Sequence, residues 1–167
     1  MKSKITILCL FIIGICLVAC GPTKQDAIKY SDEITTQQRK VVDTENKLTR
    51  AIKDGQLTNL DGMLKDLSTH IDSATATVKN MKDFDGKSAL KDAVLALFTT
   101  YRDVADHEYK AWLRNLKTPA DSVNDKVLSE EQMLVDNINK KLDKASDEFK
   151  MAQTFFAAEY KFELSKY

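Results

Sequence analysis

Leu57, Leu60, Leu64, Leu67, Ile71, Ala74, Val78 and Met81 follow one another at steps of three and four residues, the spacing that lines one face of an α-helix. The polar residues between them predict an amphipathic helix packed against other helices. Ala27, Ile34, Val41, Leu48 and Ile52 recur mostly every seven residues and predict a helix before it, stopped at Asp54-Gly55, where glycine takes a left-handed cap at little cost. Leu90, Val94, Leu97, Tyr101, Val104 and Ala111 predict a third helix. It starts after Asp85-Gly86 with Ser88 as N-cap and ends before Thr118-Pro119, because the residue preceding a proline disfavours helix. Ser129-Glu130-Glu131-Gln132 reads as a capping box that opens a fourth helix, whose apolar face runs from Val135 through Ile138, Leu142, Ala145, Phe149 and Ala152 to Phe156. Thr118 to Leu128 is the long connection, with Val123 and Val127 expected to fold back on the bundle end.

No stretch alternates with period two, and the chain holds only 5 glycines, so strands and hairpins have no signal. Short links force neighbouring helices to run antiparallel. The expected fold class is therefore all-α, an up-down-up-down four-helix bundle spanning residues 24–167.

Residues ahead of that domain read differently. Lys2 and Lys4 precede the apolar run Ile5 to Val18, too brief to cross a bilayer, and Leu17-Val18-Ala19-Cys20 resembles a bacterial lipobox. The expected division is a lipoprotein signal peptide over residues 1–19, a lipidated tether over 20–23, and the bundle. Cys20 is the expected lipidation site, its thiol joined to diacylglycerol. Cys9 and Cys16 would leave with the leader, so no thiol remains for a disulfide or a redox pair.

Composition then narrows the function. Basic and acidic residues balance at 25 each in the 167-residue chain, and losing Lys2 and Lys4 leaves a slight acidic excess. That balance gives no footprint for nucleic acid. The expected partners are the membrane, through the lipid anchor, and a protein. Gly21 stands where retention at the inner membrane uses an aspartate, which favours the outer membrane in a host with two.

Gln38, Glu45, Tyr101 and Glu108 fall on or near the apolar faces of the first and third helices. Buried carboxylates must be hydrogen-bonded, protonated or ligand-bound. They are expected to form a polar layer that fixes helix register, satisfied by Tyr101, Gln38 or Lys141; a metal or small-ligand site between helices is the sharper alternative. No metal or other cofactor is expected, because His70 and His107 lack a glutamate three residues before them, and Asp83-Phe84-Asp85-Gly86 lacks the further oxygen ligands of a calcium loop. A nucleophile elbow, a phosphate loop and a His-Glu-x-x-His motif are all missing, so no enzymatic activity is expected.

Aromatic residues crowd the C-terminal end. Phe149, Phe156 and Tyr160 fit the core face, whereas Phe155 and Phe162, with Tyr167 beyond them, form either a widened core face or an exposed strip for membrane or partner. Trp112 lies at the opposite end of the bundle, as a core plug or a distal contact.

Three segments carry a family likeness. Met81-Lys82-Asp83-Phe84-Asp85-Gly86, then Ala93-Val94-Leu95-Ala96-Leu97-Phe98 with Tyr101-Arg102-Asp103, and Gln153-Thr154-Phe155-Phe156-Ala157 with Phe162-Glu163-Leu164 resemble a group of leptospiral-type surface lipoproteins. The resemblance implies an envelope role without an enzymatic activity. The sequence thus favours a lipid-anchored interaction or structural module, with a helical-bundle carrier or sensor for a small ligand or metal as the alternative.

Overall fold

The computed structural model describes residues 21–164. The expected signal peptide, Cys20 and Tyr167 lie outside the described residues.

Helix α1 (Lys24–Lys53) is opened by a reciprocal capping box. The Thr23 hydroxyl accepts from the Asp26 N–H at 3.2 Å, and the Asp26 carboxylate accepts from the Thr23 N–H at 3.0 Å, so two otherwise orphaned donors are satisfied. The helix stops at Gly55, whose φ of 68° is left-handed. Asn59 is left-handed too, at φ 67°, and α2 (Leu60–Asn80) begins only after it. Leu57 consequently sits in the turn, 51% exposed, and not on the apolar face of α2 as the spacing predicted. The later members of that series, Leu60, Leu64, Leu67, Ile71, Ala74 and Val78, are buried.

Helix α3 (Ala89–Val104), a π-helical turn (Ala105–Tyr109) and α4 (Lys110–Asn115) form one continuous rod. The wider turn adds a residue relative to α-helical spacing, so the buried series passes through Val104, Ala105, Glu108 and Tyr109 to Leu113. Ala111, expected on the apolar face, is only half-buried for that reason. A 3-10 turn (Ala120–Ser122) leads to α5 (Asp125–Glu159). Asn124 caps α5, its side-chain oxygen accepting from the N–H groups of Lys126 and Val127 at 3.0 and 3.2 Å. The helix therefore starts four residues ahead of Ser129, because Asn124 offers a cap first. Val123 remains exposed and Val127 half-buried, so the predicted fold-back of the loop is not made by Val123. The first buried residue of α5 is Ile138; in the turns before it Val127, Glu131, Leu134 and Val135 are only half-buried. The other end closes at Lys161, left-handed at φ 56°, where the Phe162 N–H reaches back to the Ala157 carbonyl at 3.0 Å and reverses the chain.

Among the described residues the fold is all-α, four rods with no strand, as the periodicity predicted. Side-chain pairs fix how the rods lie. Asp61 with Lys117 and Asp72 with Arg102 set α2 against the α3–α4 rod in opposite directions. Lys87 with Glu159 and Glu108 with Lys141 do the same for that rod and α5. Their shared interior holds Ile34, Val41, Leu48, Leu67, Ile71, Val94, Leu97 and Phe98, all essentially inaccessible. One end is closed by interlocking rings of Tyr30, Phe84, Phe156, Tyr160 and Phe162, with neighbouring centroids 4.8 to 6.1 Å apart, within the range of favourable tilted and edge-on contacts. Of the rods that touch, α1 and α5 meet least.

Candidate functional site

That sparse α1–α5 seam opens into a cleft with a volume of about 360 Å³. Glu45 of α1 lines it together with Tyr101, Tyr109 and Trp112 of the α3–α4 rod and Asn139 and Asp143 of α5. Tyr109 is wholly buried and Tyr101 nearly so, so they form the floor. The Tyr109 and Trp112 rings stack nearly parallel, 18° between planes and 6.2 Å between centroids.

The Tyr109 hydroxyl donates a short hydrogen bond to Glu45 Oε1. Burial raises the Glu45 pKa above the usual carboxylate value, opposed by that hydrogen bond and by the Lys53 ammonium. Burial also drives both tyrosine hydroxyls far above their ordinary pKa, and the negative charge of Glu45 reinforces the effect. Both phenols are therefore neutral donors at physiological pH. Among the described residues no lysine, arginine or histidine forms an ion pair with Glu45.

The expected polar layer does not form as one unit. Glu108 points away from Glu45 and meets Lys141 of α5 at 2.8 Å, while the same ammonium holds Asp103 at 2.6 Å. Hydrogen bonds from Lys141 hold the Asp103 carboxyl below its ordinary pKa, and Lys141 itself is held above its own. Glu108 is buried, and its Oε2 has no hydrogen-bond partner. Gln38 is half-buried, and the buried glutamine of α1 is its neighbour Gln37, whose amide donates to Glu33 at 2.9 Å. Tyr101 does stand beside Glu45, close enough for the carboxylate charge to act on its hydroxyl.

The separation follows from the π turn, since it buries the adjacent side chains Glu108 and Tyr109 together while aiming one at α5 and the other at α1. Sequence reasoning placed Glu108 on the apolar face and passed over Tyr109. A signal for it was present: Tyr101, Ala105, Tyr109 and Leu113 recur at steps of four.

Each histidine has a polar partner within the protein. His70 Nδ1 lies 3.0 Å from the Thr44 hydroxyl, and His107 Nδ1 lies 2.9 Å from the Asp103 carbonyl oxygen. Among the described residues no group of three histidine, cysteine or acidic side chains is arranged to hold a metal ion.

The aromatic strip is divided. Phe155 is 74% exposed beside a shallow apolar groove with Leu90, Met151 and Ala152, crossed by Lys87 and Glu159. Phe162 is half-buried and turns the other way, toward Ile28 and Ser31 of α1. The physical reason is the end of α5 at Glu159: past the left-handed Lys161, Phe162 no longer follows the helical wheel on which it stood beside Phe155. No helix among the described residues is long and apolar enough to cross a membrane.

Comparison with known proteins adds no relative: the chain matches no protein-family model, no curated protein and no solved structure. The likeness to leptospiral-type lipoproteins rests on the three segments alone.

Proposed function

We propose that this protein is a lipid-anchored, non-enzymatic module of the cell envelope that presents its helices to a partner at the membrane surface. The observation that carries the reading is the lipobox-like Leu17-Val18-Ala19-Cys20 set directly against a rigid domain: Thr23 already caps α1. A tether of three residues reaches only about 10 Å, so an acylated Cys20 would hold the start of α1 at the headgroups. In the up-down-up-down order that we infer from the side-chain pairs, the aromatic end with Phe84 and Phe162 lies on that side, and exposed Phe155 and Met151 suit an interfacial setting beside Lys87 and Lys161. The Gly55 turn and the Leu116–Asn124 connection then face outward, where a protein partner would dock. The likeness to leptospiral-type lipoproteins supports the same envelope setting, with the outer membrane favoured over the inner by Gly21.

Replacing Cys20 with alanine tests the anchor. Metabolic labelling with palmitate should mark the wild-type chain and not the variant, and the variant should leave the membrane fraction or persist as uncleaved precursor. Palmitate label and membrane association unchanged by Cys20→Ala would overturn the reading.

A second reading is favoured by one specific observation, the cleft at Glu45. Its volume lies in the range of small-molecule sites, and its walls combine aromatic faces with polar and charged groups in similar share. An envelope module of this kind would carry or sense a small ligand in addition to being anchored.

A further inference from the structure

Glu45 poses a problem that the polar-layer explanation leaves open. A carboxylate withdrawn from water normally gains a cation or several hydrogen-bond donors. Glu45 is half-buried and has one donor, the Tyr109 hydroxyl on Oε1; its Oε2 has none among the described residues and is not sealed from solvent as Glu108 Oε2 is. Glu108 differs on that count, because its charge is met by Lys141. The deficit at Glu45 faces the cleft, and so does the only tryptophan of the chain, Trp112.

From this arrangement we infer that the cleft between α1, α4 and α5 binds a small organic ammonium ion, with Glu45 as its counter-charge and the Trp112 indole as the face on which the cation rests. This rests on the ligand-binding reading above and not on the lipid anchor. An indole is the strongest of the aromatic partners for a cation, and the contact strengthens where water is excluded. Tyr109 both locks Glu45 in place and stacks on Trp112, so anion and aromatic face are held by the same buried side chain. Asp143 adds a second acidic group to the wall, and no ion pair among the described residues engages it. The opposing charge is Lys53, which lies eight residues beyond Glu45 on α1, about 12 Å along the axis. Its ammonium lines the same cleft and acts on Glu45 from a distance, without an ion pair to it among the described residues. Asn46 and Asn139 supply neutral polar groups for the remainder of the ligand.

A single tryptophan in the cleft makes the test direct. The full chain, purified in detergent, is titrated with choline, with benzyltrimethylammonium and with 3,3-dimethylbutan-1-ol, the uncharged isostere of choline, while Trp112 emission is followed. Both ammonium ions should give a saturable change, with the alcohol weaker than choline by at least about tenfold. Glu45→Gln should weaken choline binding by about tenfold or more with helical circular dichroism unchanged, and Asp143→Asn, on the exposed rim, should weaken it by a smaller factor. No saturable change with either cation would overturn the inference, and no change with the alcohol either would overturn the ligand-binding reading with it. Equal affinity for choline and the alcohol, or choline binding unaffected in both Glu45→Gln and Asp143→Asn, would overturn the cation assignment and leave a neutral-ligand cleft standing.

Discussion

Glu45 and Glu108 are both acids on apolar helix faces, yet they sit in different surroundings. Because burial raises the folded-state pKa of Glu45, the native state holds its proton at a pH where the unfolded chain has lost it. Stability must then fall as pH rises from the ordinary value of 4.5 through the raised one, and remain level above it. Asp103 and Asp106 oppose this slope: their lowered pKa values give stability that is present above 3.8 and lost as pH falls through the folded values. Thermal unfolding of Glu45→Gln across this range should show the declining component removed, with the variant at least as stable as wild type at neutral pH. Around Glu108 the ion pair is decisive. Lys141→Met should destabilise by about 1–3 kcal/mol, because it leaves a buried carboxylate without its cation, and adding Glu108→Leu should recover most of the loss in urea titrations. The sequence displayed both acids through their positions between apolar neighbours. Of their partners, Lys141 was legible as a cation within reach of the acids, whereas Tyr109 was not, since it owes its placement to helix phase and not to residue type.

At the scale of elements, apolar steps of three and four identified every rod, and the errors gathered where two local signals compete. Asn124 and Ser129 are both acceptable N-caps, and the chain uses the first. Asn124→Ala should cost about 1 kcal/mol in thermal unfolding, whereas Ser129→Ala should change little. Leu57 satisfied the periodicity but lies between two left-handed residues, Gly55 and Asn59, and backbone conformation outweighed the apolar pattern. The π turn was invisible for a related reason: an added residue changes the phase of a helix without changing its composition. Past α5, Lys161 holds a positive φ that favours glycine. Lys161→Gly should therefore raise stability by about 0.5–1 kcal/mol, measurable as a shift in denaturant midpoint.

The whole molecule is a rod with unlike ends. An aromatic knot closes the end that carries the start of α1, while the opposite end carries the Gly55 turn, Lys117–Asp61 and the start of α5. If Cys20 carries the proposed lipid, spin labels at Asp85 and Gly55 on liposome-bound protein should be quenched at clearly different depths; equal quenching would mean that the bundle lies flat or has another topology. The thinner packing of the first turns of α5 has a kinetic consequence. One unbroken helix spans Asp125 to Glu159, but its first buried side chain is Ile138, so its amides should not exchange with solvent as a unit. Those ahead of Ile138 should exchange by fraying, faster than the rest of the helix, and those around Phe149 only by global unfolding. Val135 and Asn139, at that boundary, also wall the cleft. Each fraying event that travels this far would loosen the cleft wall, which makes the lifetime of the last α5 turns before Ile138 a natural limit on how fast a molecule enters or leaves.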